Sequence, residues 1–180
     1  MALPAAGIAI GVHSRVASAA FCARYTWFEL YEVTMYNNHY YLDALLAALL
    51  AAVGANQRLA LRPAPPARRL RRWQRGLLRL QVCTVYVYAG VAKLNSDWLL
   101  HAEPMRTKLR DEAAAHAPAC FAGALHSEWL PAFVSAAGAA LDLSLPILLL
   151  WPRGRSVGFA LASSFHLSNH CIWSLGEFPW

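Results

Sequence analysis

Leu80-Gln81-Val82-Cys83-Thr84-Val85-Tyr86-Val87-Tyr88-Ala89-Gly90-Val91-Ala92 is a thirteen-residue stretch without a formal charge, and it ends on Lys93. A hydrocarbon core is crossed by about twenty mostly apolar helical residues, so this stretch reads as part of a membrane span. The whole chain agrees. Of its 180 residues 58% are hydrophobic and 14% charged, against about 25% charged in an ordinary soluble domain. Seven Trp and seven Tyr supply interfacial aromatics, and the mean hydropathy is +0.33.

Working outward from Lys93, further windows of the same kind run from Val16 to Met35, Tyr40 to Ala55, Leu77 to Lys93, Trp129 to Trp151 and Ser156 to Leu175. Arg24, Glu29 and Glu32 interrupt the first, and Asp43 sits in the short second. The apolar opening Met1 to Val12 lacks the basic start of a secretory signal and reads as the tail of a further helix. The expected fold is all-α, a multi-pass transmembrane bundle of about five spans plus that truncated one, with the chain cut short at both ends.

Charge orients such a bundle. Eight of the sixteen basic residues lie between Arg58 and Arg79, so residues 56–76 read as a basic cytosolic loop rather than a nucleic-acid surface. Arg15, this loop and the Arg153-Gly154-Arg155 turn fall on one side, given the span count. The Tyr36 to His39 corner, the segment 94–128 and the Glu177 to Trp180 end share the opposite, lumenal side. Pro63 to Pro66 blocks helix. Ala67 to Arg75 is expected as an amphipathic surface helix anchored by Trp73 among anionic lipid headgroups. Segment 94–128 is too polar to span and is expected to form short interfacial helices.

Polar groups inside a membrane are expensive and need a partner or a task. Here they are Asn37, Asn38, His39, Asp43, Lys93, Asp142, His166, Asn169 and His170. An ammonium stripped of water releases its proton more readily, which makes Lys93 the candidate base. The span count brings the Asn38-His39 corner and Lys93 to the same interface, with Asp142 and His166 about halfway along their helices. A polar pocket in the lumenal half of the bundle is the expectation.

Each of these residues also has an ordinary structural role. Lys93 would snorkel to headgroups, Asn37-Asn38 would cap the helix that His39 begins, and Asp142 would hydrogen-bond a neighbouring helix. His166 and His170, one helical turn apart, have the spacing of a metal pair. The remaining histidines form no second box of that kind, and no metal site is expected. Four cysteines show no zinc spacing. Walker and GxGxxG patterns are absent from the sequence.

Several segments carry a family resemblance. Tyr36-Asn37-Asn38-His39-Tyr40-Tyr41-Leu42 resembles the W-N-N-H-x-Y-L corner of vitamin K-dependent gamma-carboxylases. Val85 to Trp98, reading V-Y-V-Y-A-G-V-A-K-L-N-S-D-W, is similar to their V-Y-F-x-A-G-V-K-K-L-D-x-D-W. Leu141-Asp142-Leu143-Ser144 resembles their L-D-L-S. Phe165-His166 with Asn169, followed by Ser174-Leu175-Gly176 and Phe178, resembles their F-H-x-x-N and S-I-G-x-F. Together, in this order, they resemble the HTTM domain, the membrane half of that family, over nearly all of 1–180.

The resemblance implies a function. The family's second lysine, the base that deprotonates reduced vitamin K, falls on Lys93; its first falls on Ala92, a departure that removes a neighbouring positive charge. The histidine implicated in vitamin K oxygenation falls on His39. Lys93 and His39 are thus the implied catalytic residues, with Asn38, Asp142, His166 and Asn169 in substrate binding. The implied cofactor is vitamin K hydroquinone or a related quinol, oxidised to its epoxide with O2, while CO2 is added to a glutamate. The implied location is a membrane crossed several times, that of the endoplasmic reticulum if the source is eukaryotic. The lumenal β-rich region that engages the glutamate-bearing peptide has no counterpart in these residues, so carboxylation by them alone is not expected. Membrane lipid and quinol are the expected partners, and nucleic acid is not. Two alternatives stay open: a non-catalytic membrane protein binding quinone or lipid, and a His-metal membrane oxidase using His166 and His170.

Overall fold

In the computed structural model the described residues are 2–32, 34, 38–54, 60–61, 70–113, 123 and 127–172. All regular structure among them is helical. The order is α1 (Ala2–Ile10), α2 (Ser14–Tyr31), α3 (Asn38–Val53), α4 (Arg72–Ala92), a π-helical turn (Asp97–His101), α5 (Glu103–Lys108), a second π-helical turn (Leu109–Ala113), α6 (Trp129–Leu150) and α7 (Arg155–Ile172). The chain divides into two compact units, Met1–Gln81 and Val82–Trp180, with the boundary inside α4.

In the first unit α1 folds back on α2 through Gly11-Val12-His13. Gly11 has φ of 69°, and a Cβ there would lie 2.2 Å from the Ala60 methyl, so both the backbone and the neighbour demand glycine. Ser14, Ser18 and Glu29 are the buried residues of α2, spaced so that they share one face. The α3 residues Ala44, Ala47 and Val53 are buried as well, and α2 packs on α3. Tyr25 stacks on Phe21 at 5.0 Å and meets the Tyr40 ring edge-on at 5.7 Å, fixing α2 against the first turn of α3. The Gln74 amide donates to the Val53 carbonyl (3.1 Å), satisfying one of the acceptors that the end of α3 leaves over.

In the second unit α6 is the central element. Pro131, Ser135, Ala139, Asp142, Leu145 and Pro146 are its buried residues, at spacings of three and four that define one helical face. Phe133, Ile147 and Leu150 are exposed. Inside the helix Pro146 has no N–H, so the Asp142 carbonyl loses its usual donor. Trp151 to Gly154 turns the chain into α7, and the Arg155 guanidinium closes the corner by donating to the Leu149 carbonyl (3.3 Å). The π-turn and α5 lie against α6. Arg106 and Arg110 bridge to Glu128, just ahead of α6, at 2.6 and 3.2 Å.

Helix boundaries follow the expected windows closely. One difference is that Arg72 to Ala92 is a single helix, so the arginine run beyond Arg72 and the apolar stretch are continuous rather than a surface helix followed by a span. Residues 62–69 and most of 114–126 lie outside the described residues. Among the described residues one helix, α6, is long and apolar enough to cross a membrane, and His39–Val53 is a shorter apolar helix. Arginines at the start of α4, charges in α2, and His166, Asn169 and His170 in α7 lower the hydropathy of the others.

Gly90 sets how closely α4 approaches α6. A Cβ there would lie 2.6 Å from Leu143 Cδ2 and 3.2 Å from the Leu143 backbone nitrogen. Gly90→Ala is therefore expected to lower the free energy of unfolding in detergent by about 1–3 kcal/mol through overpacking. Gly138→Ala, where an added Cβ meets nothing within 4 Å, should instead be neutral or gain up to about 1 kcal/mol from helix propensity. Thermal unfolding of the two variants side by side checks the contrast.

Candidate active site

Lys93 follows the last turn of α4, its N–H bonded to the Gly90 carbonyl (3.1 Å). Gly90 and Tyr86 lie three and seven residues earlier, on the same side of the helix. The Lys93 side chain is 19% exposed and its Nζ forms an ion pair with Oδ2 of Asp142, which is buried on α6. Nζ also donates to the Ala89 carbonyl (3.4 Å) and stands 5.2 Å from the centroid of the Trp98 ring. A cation so placed is attracted to the aromatic face.

Trp98 is held from two directions. Its indole N–H donates to the Ser135 carbonyl of α6 (2.9 Å), and its backbone N–H to the Asn95 side-chain oxygen (2.9 Å). The Asn95 amide in turn donates to the Ala92 carbonyl (2.7 Å). Asn95 thus closes α4 and opens the π-turn at once, which places the indole over the amine.

One helix further, the Tyr86 hydroxyl and His166 Nε2 share a hydrogen bond of 3.1 Å, with ring centroids 6.4 Å apart. Phe165 sets its ring edge-on to the same imidazole at 5.7 Å. The Asp142 carboxylate acts electrostatically on both Tyr86 and His166. Helices α4, α6 and α7 therefore bring Tyr86, Lys93, Asp142 and His166 into one constellation, roofed by Trp98.

Of the residues singled out from sequence, Lys93, Asp142 and His166 meet here. Asn169 is half-buried one turn beyond His166 on α7. His170, the other half of the expected histidine face, is exposed while His166 turns towards Tyr86. No cluster of three or more metal-ligating side chains occurs among the described residues. Asn38 and His39 open α3 in the first unit. There His39 is half-buried and feels the Asp43 carboxylate one turn along.

Lys93 is not the lone amine in an apolar wall that its sequence context suggested, since a buried carboxylate balances it. Tyr86 and Trp98 stand at two places of the motif Val85 to Trp98 but were given no role in the site. Tyr86 could have been found from its seven-residue spacing to Lys93; Trp98 follows a break in the helix that conceals its direction.

Removing one member of a buried ion pair strands the other and costs about 3–5 kcal/mol, whereas replacing both with apolar groups is often close to neutral. Lys93→Met and Asp142→Leu should each lower the thermal midpoint markedly, while the double variant should lie well above the sum of the two losses. Additive losses would show that the two groups do not act on one another.

No solved structure matches the chain. The sequence model of the HTTM domain family matches residues 1–180, the whole of it. With the match running unbroken through α4, Lys93 and the α6–α7 hairpin, this protein belongs to the HTTM domain family.

Proposed function

We propose that this protein is a multi-pass membrane enzyme of the vitamin K-dependent carboxylase type, in which Lys93 takes a proton from a reduced quinone. The carrying observation is the Lys93 amine, mostly withdrawn from solvent and paired with buried Asp142. A base must be within hydrogen-bond reach of the proton it removes. Nζ has a carboxylate on one side and an aromatic face on another, and membership of the HTTM family associates the chain with this carboxylase chemistry.

The division of labour among the residues is as follows. Lys93 Nζ receives the proton of one quinol hydroxyl. Tyr86 and His166 present a hydroxyl and an imidazole nitrogen, which suit the second oxygen of a flat two-oxygen ring. Trp98 and Phe165 offer aromatic surface to that ring and exclude water. When bound, reduced vitamin K would supply the reducing equivalents that consume O2 and yield the epoxide, coupled to addition of CO2 to a glutamate in a peptide substrate. His39 and Asn38 are assigned to the oxygen-handling step, and Asn169 to the rim of the pocket.

The bundle is read as multi-pass, in the endoplasmic reticulum membrane if the source is eukaryotic. The arginines of the α2 start, the α4 start and the α6–α7 turn face the cytosol, where Arg72, Arg75 and Trp73 meet anionic headgroups. A non-catalytic quinone- or lipid-binding protein is the second reading. The same ion pair favours it, because a pair that only ties α4 to α6 would look alike.

The experiment is oxidation of vitamin K hydroquinone to its epoxide by the full chain in membranes, with O2, bicarbonate and a glutamate-containing peptide, read by chromatography. Lys93→Ala is expected to lower the epoxidation rate by about 10²–10⁴-fold, the usual worth of a general base. Tyr86→Phe should chiefly raise the KM for quinol. Epoxidation unchanged by Lys93→Ala would exclude the base and leave the binding protein.

A further inference from the structure

We propose that Asp142 is the positioning residue of the base, with Lys93 and Asp142 holding one transferable proton between them and acting as a single acceptor. This deepens the proton-abstraction reading above and rests on it. Three observations converge. Asp142 is buried and in contact with Lys93 Nζ. Gly90, one turn from Lys93, lets α6 approach closely at the residue next to Asp142. Pro146 interrupts the hydrogen-bond ladder of α6 at the Asp142 carbonyl.

The pair answers a difficulty that a lone lysine does not. A single ammonium or a single carboxylate in an apolar bundle is uncompensated. Sharing one proton, the two groups are net neutral, whether as ammonium and carboxylate or as amine and carboxylic acid. Uptake of the substrate O–H proton leaves ammonium and carboxylic acid. With the shared proton on Asp142, the substrate O–H bond breaks and one N–H bond forms on Lys93, and the site gains one positive charge as the substrate oxygen gains one negative charge. The total stays zero, so nothing need be solvated as the proton moves.

Among the described residues, four ionisable groups on the neighbouring elements bear on the pair or lie near it. Tyr86 on α4 and His166 on α7 both feel the Asp142 carboxylate. Asp97 and His101 of the π-turn lie 81% and 62% exposed and pair with each other at 3.6 Å. On α6 itself Asp142 is the one ionisable side chain.

Two readouts test the proposal in the full chain. In the epoxidation assay Asp142→Asn should lower kcat by about 10–100-fold with little change in KM, and Asp142→Glu should recover much of that loss. The Lys93→Ala/Asp142→Asn double variant should be no slower than Lys93→Ala, as for residues acting as a unit. The second readout needs no activity. Lys93 and Lys108 are the two lysines of the chain, so trace acetylation with acetic anhydride, read by mass spectrometry, reports Lys93 against Lys108 as internal standard. Asp142→Asn should raise Lys93 labelling at neutral pH by about threefold or more, because the nitrogen is then no longer held in the ion pair. Asp142→Glu, which keeps the carboxylate, should label as the parent does. Labelling unmoved by Asp142→Asn, or an Asp142→Asn protein with parental kcat, overturns the proposal. If the parent chain does not oxidise the quinol while its labelling still responds to Asp142→Asn, the shared proton stands and the quinol reading falls.

Discussion

The pairing of the Lys93 ammonium with the Asp142 carboxylate constrains everything around it. Two groups that are each unwelcome in an apolar bundle become acceptable together, but only if α4 and α6 are held close enough for contact. That requirement explains the glycine at position 90, whose missing side chain makes room for Leu143, the neighbour of Asp142. On the turns leading to Asp142 the buried face of α6 carries two small residues, Ser135 and Ala139.

A second tier of contacts keeps the pair oriented. Asn95 turns the chain out of α4 and starts the π-turn, which carries Trp98 over the amine. Tyr86 and His166, joined by their own hydrogen bond, bring α7 into the electrostatic neighbourhood of the carboxylate. The ridge of Tyr86, Gly90 and Lys93 on α4 is thus matched to residues of two different helices. Each position has a separate physical reason to be what it is.

Much of this was legible in the chain. An uncharged run closing on a lysine located the later part of α4 and the end that carries the Lys93–Asp142 pair, and the polar positions of α6 and α7 stood out against apolar surroundings. The limits are equally physical. Hydropathy registers a carboxylate and an ammonium as two separate penalties, so it could not tell that Asp142 and Lys93 cancel; pairing across 49 residues is a tertiary fact. Tyr86 passed unnoticed because a tyrosine is unremarkable in an apolar stretch, and its hydroxyl meets His166 only in the fold. The split between His166 and His170 likewise depends on which side of α7 meets α4. A turn of 100° per residue separates neighbours on a helix, but spacing alone does not say which of two stacked histidines turns towards Tyr86.

The double anchoring of Trp98 has one more consequence. Its indole N–H holds α6 while its ring covers Lys93, and its backbone is continuous with the π-turn and α5 that rest against the same helix. Whatever lifts this segment away must break the indole bond and uncover the amine in one movement. Admission of water to the proton-bearing nitrogen and undocking of the segment are then a single event, with a tryptophan as the latch.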